Sequence, residues 1–153
     1  MRKEVELLFI TLSSPIKIGV YEDNKLIDSI ISEEKSSEFL PLIFDELLNI
    51  YNVKGLFYTN GPGSFMAIKI AYIFLKSISI LKNIPLYATD AFSFNKNNPI
   101  KAIGKLYFVK ILSEIKTQKL ETVPEADFSL PTILNYNEFS QNITPLYKIG
   151  AVG

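Results

Sequence analysis

The chain has 153 residues, 48% of them hydrophobic, with sixteen basic and sixteen acidic side chains, no histidine and no cysteine. That length fits one core, or one core with an appendage, and excludes two full domains. The cancelled charge leaves no global field to attract nucleic acid or an anionic membrane, and the missing residue types exclude disulfides, thiolate or Ser-His nucleophiles and histidine metal sites.

An enzyme built from this chain would work with carboxylates, lysine or positioning alone. The hydrophobic content and the mean hydropathy of +0.19 lie at the apolar end for a soluble protein, which points to a surface buried by a partner. Glu4 and Glu6 interrupt what would be the apolar region of a signal peptide, so a cytoplasmic location is expected. The most apolar window, Phe65 to Leu81, contains Lys69 and Lys76 and runs for about 17 residues, at the lower limit for a bilayer span. No membrane helix is expected.

From the amino end, Glu4 to Thr11 reads as a strand buried on both faces, because its apolar residues are nearly continuous. Ser13-Ser14-Pro15 turns the chain into Ile16 to Tyr21, and Glu22 to Lys25 turns it again into Leu26 to Ile31. The three form an antiparallel meander. Ser36 or Ser37 caps a helix that must begin close to Pro41, with Leu40, Ile43, Phe44, Leu47, Leu48 and Tyr51 on its apolar face. Val53 to Thr59 is a fourth strand.

Asn60-Gly61-Pro62-Gly63-Ser64-Phe65 then reads as a tight turn whose serine caps a second helix, from Ser64 to about Lys82. Gly61, Gly63 and Ser64 could cradle a phosphate at the positive end of that helix, or form only a sharp corner. No lysine of the P-loop type and no acidic metal ligand accompanies them. The second helix is apolar around its whole circumference, so it must be covered on more than one side. Asn83-Ile84-Pro85 ends it and Leu86 to Thr89 is a fifth strand, after which Asp90 caps a short helix at Ala91. Residues 1–92 are thus a core, and residues 93–153 a shortened annex. Within the annex, Ile100 to Ile103 and Leu106 to Leu112 suggest a hairpin, and Lys119 to Val123, Phe128 to Leu130 and Thr132 to Leu134 suggest edge strands.

The order βββαβαβ is that of the ribonuclease-H-like and actin-like (sugar kinase and Hsp70) mixed α/β sheets. Within it, Thr59 to Ile70, then Lys76, then Asn83-Ile84-Pro85-Leu86, resembles the signature of the bacterial TsaB (YeaZ) family. In that family Gly-Pro-Gly-Ser-Phe-Thr-Gly-Leu-Arg opens the second helix, and Asn/Asp-Ile-Pro opens the next strand. The likeness extends over most of residues 4–112 and to Pro145-Leu146-Tyr147. Ile10-Thr11-Leu12-Ser13 departs from the family's Asp-Thr-Ser, Lys35-Ser36-Ser37 from its His-Ser-Glu, and Met66-Ala67-Ile68-Lys69 from its Thr-Gly-Leu-Arg.

The resemblance implies a non-catalytic subunit that pairs with the paralogue TsaD in forming threonylcarbamoyladenosine beside the tRNA anticodon. The ATPase TsaE joins that complex, tRNA is met indirectly, and a homodimer forms when the partner is absent. It implies no metal or cofactor held by this chain alone, with ATP or ADP entering in the complex, and no catalytic residue. Because the family's first two helices meet the partner, Phe65, Ile68, Lys69, Tyr72, Leu40, Phe44 and Leu47 are the candidate contacts. The rival reading is an enzyme of the same fold, an ATPase or kinase acting alone. A nuclease would need converging carboxylates, and residues 5–13 offer only Glu6.

Overall fold

The computed structural model describes residues 2–122 and 127–146. Its first half follows the expected order: β1 (Glu4–Ile10), β2 (Ile16–Glu22), β3 (Lys25–Ser32), α1 (Ser36–Ile50), β4 (Asn52–Thr59), α2 (Phe65–Lys82) and β5 (Leu86–Thr89). These strands make one sheet in the order β3-β2-β1-β4-β5, antiparallel across the meander and parallel where α1 and α2 return the chain. Short turns permit only antiparallel neighbours, and each helical crossover permits a parallel one.

One face of the sheet packs under both helices. Val5, Leu7 and Phe9 of β1, Ile18 and Val20 of β2, and Leu56 and Tyr58 of β4 meet Leu40, Phe44 and Leu47 of α1 and Ala71 and Leu75 of α2. Phe44 stacks on Phe9 at 6.4 Å and meets Phe74 edge-on at 5.8 Å, joining strand, first helix and second helix. The continuous apolar reading of β1 is explained by its second face, where Leu8 and Ile10 join Tyr21, Phe57, Phe94 and Leu134 in a separate core.

In α1 the structure departs from the expected start. The helix begins five residues ahead of Pro41, its flanking residue Lys35 makes no side-chain cap, and Pro41 lies inside the helix and exposed. The hydrogen bond that its nitrogen would have donated to the carbonyl of Ser37 is forfeited, yet the helix runs on to Ile50. In α2, by contrast, Ser64 Oγ accepts from Ala67 N–H at 3.4 Å, and Asn83 closes the other end in the left-handed conformation at φ 56°.

The second half begins with a short 3-10 turn at Ala91–Phe94, where Asp90 Oδ1 accepts from Phe92 N–H at 3.0 Å. Then β6 (Ile100–Lys101), β7 (Leu106–Ile111) and β8 (Glu114–Lys119) form a separate three-stranded antiparallel sheet. The expected hairpin is present, but the third strand precedes the one read at Lys119 to Val123. Leu112 and Ser113 make the tight turn with φ 50° and 68°, without glycine or asparagine to announce it. Val123 lies outside the described residues.

Residues 127–146 contain little regular structure. Phe128 to Leu130 forms no strand, and of Thr132 to Leu134 only Ile133 makes a single bridge, to Lys25. The segment instead crosses the open face of the five-stranded sheet. Leu26 N–H donates to Thr132 O at 3.0 Å and Leu134 N–H to Asn24 O at 2.8 Å on the β3 side, and Ser140 bridges Ala88 on β5. Leu134, 1% exposed, and Phe128, Leu130 and Phe139 fill the second core. The annex thus shares its core with the first 92 residues. Among the described residues no helix is long and apolar enough to cross a membrane.

Candidate functional site

The Gly-Pro-Gly-Ser corner lies at the carboxyl end of β4, and side chains fill the space beside it. Gly61 has φ +120°, and a Cβ there would stand 3.1 Å from Ile68 Cδ1 and 3.3 Å from Leu146 Cβ. At Gly63 a Cβ would stand 3.1 Å from Leu12 Cβ. The glycines therefore serve close approach of hydrocarbon on both sides. Ser64 N–H donates to Leu12 O at 3.4 Å, its hydroxyl is occupied by Ala67 N–H, and Gly61 O accepts from Ala91 N–H at 2.9 Å. Gly61, Gly63 and Ser64 accordingly form a packed corner that fixes α2 against the β1–β2 turn and the final segment.

Asn60 is the anchor that sequence reasoning missed. Its Nδ2 donates to Thr144 O at 3.0 Å and its main-chain carbonyl accepts from Leu146 N–H at 2.8 Å, so residues 144–146 are tied to the corner. Next to it Tyr58 OH donates to Ile143 O. Asn60 Oδ1 and Thr59 Oγ1 are buried without a hydrogen-bond partner among the described residues. Tyr147, part of the terminal triplet, lies outside the described residues.

The contact candidates divide. Leu40, Phe44 and Leu47 are at most 3% exposed and lie in the core under the sheet, while Ile68, 2% exposed, packs with Leu12, Ala91, Phe92, Ile100 and Phe108. These four are internal, which corrects their reading as surface contacts: an apolar pattern marks the buried face of a helix, and only the fold shows which covering is internal. Phe65 and Lys69 are exposed, and Tyr72 is half-buried with its hydroxyl 3.0 Å from Lys76 Nζ.

The outward face of α2 carries apolar residues beyond those selected. Met66, Ile73 and Ile80, seven residues apart, are 60%, 53% and 70% exposed, with Lys69 and Lys76 interleaved on the same side. Leu42 and Ile50 of α1 are also exposed. The all-round apolar character of α2 therefore resolves into an inner half held by Ile68, Ala71 and Leu75 and an outer row in solvent.

The fold thus defines a mixed α/β protein whose five-stranded sheet carries two helices on one face, the second helix launched by a glycine-rich corner. It is the fold of YeaZ from Pseudomonas aeruginosa, with a TM-score of 0.58 at 15% sequence identity over 78% of this chain. A protein with similarity to peptidase YEAZ from Pseudomonas aeruginosa superposes over 79% of the chain, with a TM-score of 0.55 at 15% identity. In both cases the matched region spans 66% of the other chain's length. No family model and no curated protein matches the sequence.

Proposed function

We propose that this chain is a TsaB-type member of the ribonuclease-H-like and actin-like superfamily, a non-catalytic subunit that pairs with a TsaD-type partner. In this role it supports threonylcarbamoyl transfer to the tRNA adenosine beside the anticodon, with a TsaE-type ATPase joining the complex. ATP or ADP would enter with those partners, and tRNA would be met indirectly. The observation that carries the reading is the outer row Met66, Ile73 and Ile80 on a helix of the YeaZ fold. Apolar side chains repeated every two helical turns suit a helix-to-helix contact, and the same row suits a homodimer when the partner is absent.

The test is coexpression with TsaD from the same genome, followed by complex size and affinity. Met66→Glu and Ile73→Glu, both at exposed sites, should weaken the complex by at least about tenfold. The isolated chain's unfolding free energy should stay within about 0.5 kcal/mol. An undiminished complex in both variants would move the interface elsewhere, and clear ATP turnover by the purified chain would overturn the subunit reading.

A further inference from the structure

The sheet face turned away from the helices carries a pocket of about 340 Å³ beside the final segment, and none of its residues belongs to the proposed partner surface. Its polar end is made by a β-bulge. Val5 pairs with Val53 but Glu6 pairs with Gly55, which leaves Lys54 as the extra residue between them. Bulges of this kind redirect a side chain, and here Lys54 and Glu6 both line the cavity. Gly55 lets the Phe57 ring and the Glu6 side chain lie close against the strand, since a Cβ there would stand 3.2 Å from Phe57 Cε1 and 3.3 Å from Glu6 Cγ.

The remaining lining is aromatic. Phe57 stacks with Tyr87 at 5.0 Å and with Tyr136 at 5.5 Å, and Phe139 meets it edge-on at 4.9 Å. Tyr136 OH donates to Glu6 Oε1 at 2.6 Å, which orients the carboxylate and leaves its second oxygen without a partner among the described residues. Burial and this carboxylate hold the Tyr136 hydroxyl well above its ordinary pKa, so it stays a donor. Lys54 has no ion-pair partner among the described residues.

One acid and one base from adjacent strands, not paired with each other, thus line the same cavity next to aromatic rings. An anion and a cation that are both free to take a partner in one cavity are complementary to a zwitterion. A nucleotide would bring a phosphate for Lys54 but no cation for Glu6. We propose that the pocket binds a free α-amino acid with an aromatic side chain, its ammonium on Glu6, its carboxylate on Lys54 and its ring against Tyr87 and Tyr136, which the buried Phe57 holds in place.

The chain has no tryptophan, so the emission of added L-tryptophan reports on the ligand alone. Titration of the full chain should show saturable binding of L-tryptophan. Tryptamine, lacking the carboxylate, and indole-3-propionate, lacking the ammonium, should each bind at least about tenfold more weakly. Lys54→Gln should weaken tryptophan but not tryptamine, and Glu6→Gln tryptophan but not indole-3-propionate. The two analogues read head-group recognition on the unaltered chain, so the test stands even if a variant folds poorly. No saturation up to about 10 mM, tighter binding of adenosine monophosphate, or analogues equal to tryptophan would overturn the proposal.

Discussion

At Gly61 one backbone dihedral and two neighbouring side chains explain a residue choice that the sequence alone left between two roles. A β-carbon would have to be held at φ +120° and pressed between Ile68 and Leu146. Gly61→Ala should therefore cost about 2–4 kcal/mol in urea unfolding, combining backbone strain with overpacking. Gly104→Ala, at φ +57° with nothing within 4 Å, should cost only the strain, about 1–2 kcal/mol. Ser64 and Asp90 were legible as caps because a cap needs only neighbours in sequence. The roles of Glu6 and Lys54 were not. Their meeting depends on a bulge in parallel pairing, and the ring over them comes from residue 136.

For single elements, apolar spacing gave the type and bounds of nearly every strand and helix before β5. It identified the inner face of α1, since Leu40, Phe44 and Leu47 recur at helical spacing and all reach the core. It misjudged the start of α1, because Pro41 was read as a signal for the first turn, yet it occupies an exposed interior position. Pro41→Ala restores a donor to the Ser37 carbonyl and should stabilise the chain by about 1–3 kcal/mol, measured as a rise in the urea midpoint. A loss of stability would show that the proline ring packs against the helix. In α2, Ile68 and Ile73 are equally apolar and five residues apart, yet one is 2% exposed and the other 53%. Only the position of the sheet and of the residues around Phe92 and Phe108 separates them.

On the scale of the whole molecule, the segment of residues 127–146 joins parts of the fold that lie far apart in sequence. It binds the β3 side at Asn24 and Leu26, the β5 edge at Ala88 and the corner at Asn60, and its apolar side chains cover the face that the helices leave open. Leu134 is its most buried residue in that core. Leu134→Ala should therefore cost about 2–5 kcal/mol in equilibrium unfolding, as an internal leucine does, with one cooperative transition throughout. A cost below about 1 kcal/mol would mean that the segment is dispensable to the sheet.

By itself the sequence determined the meander, the two helical crossovers and the corner at Gly61, because strand alternation, helical spacing and turn chemistry act between near neighbours. The tertiary structure decided which half of α2 faces solvent, that the annex completes the core, and that Glu6, Lys54 and Tyr136 line one pocket. These outcomes rest on contacts between residues distant in the chain. Such contacts depend on the relative placement of whole elements, and no local pattern records it.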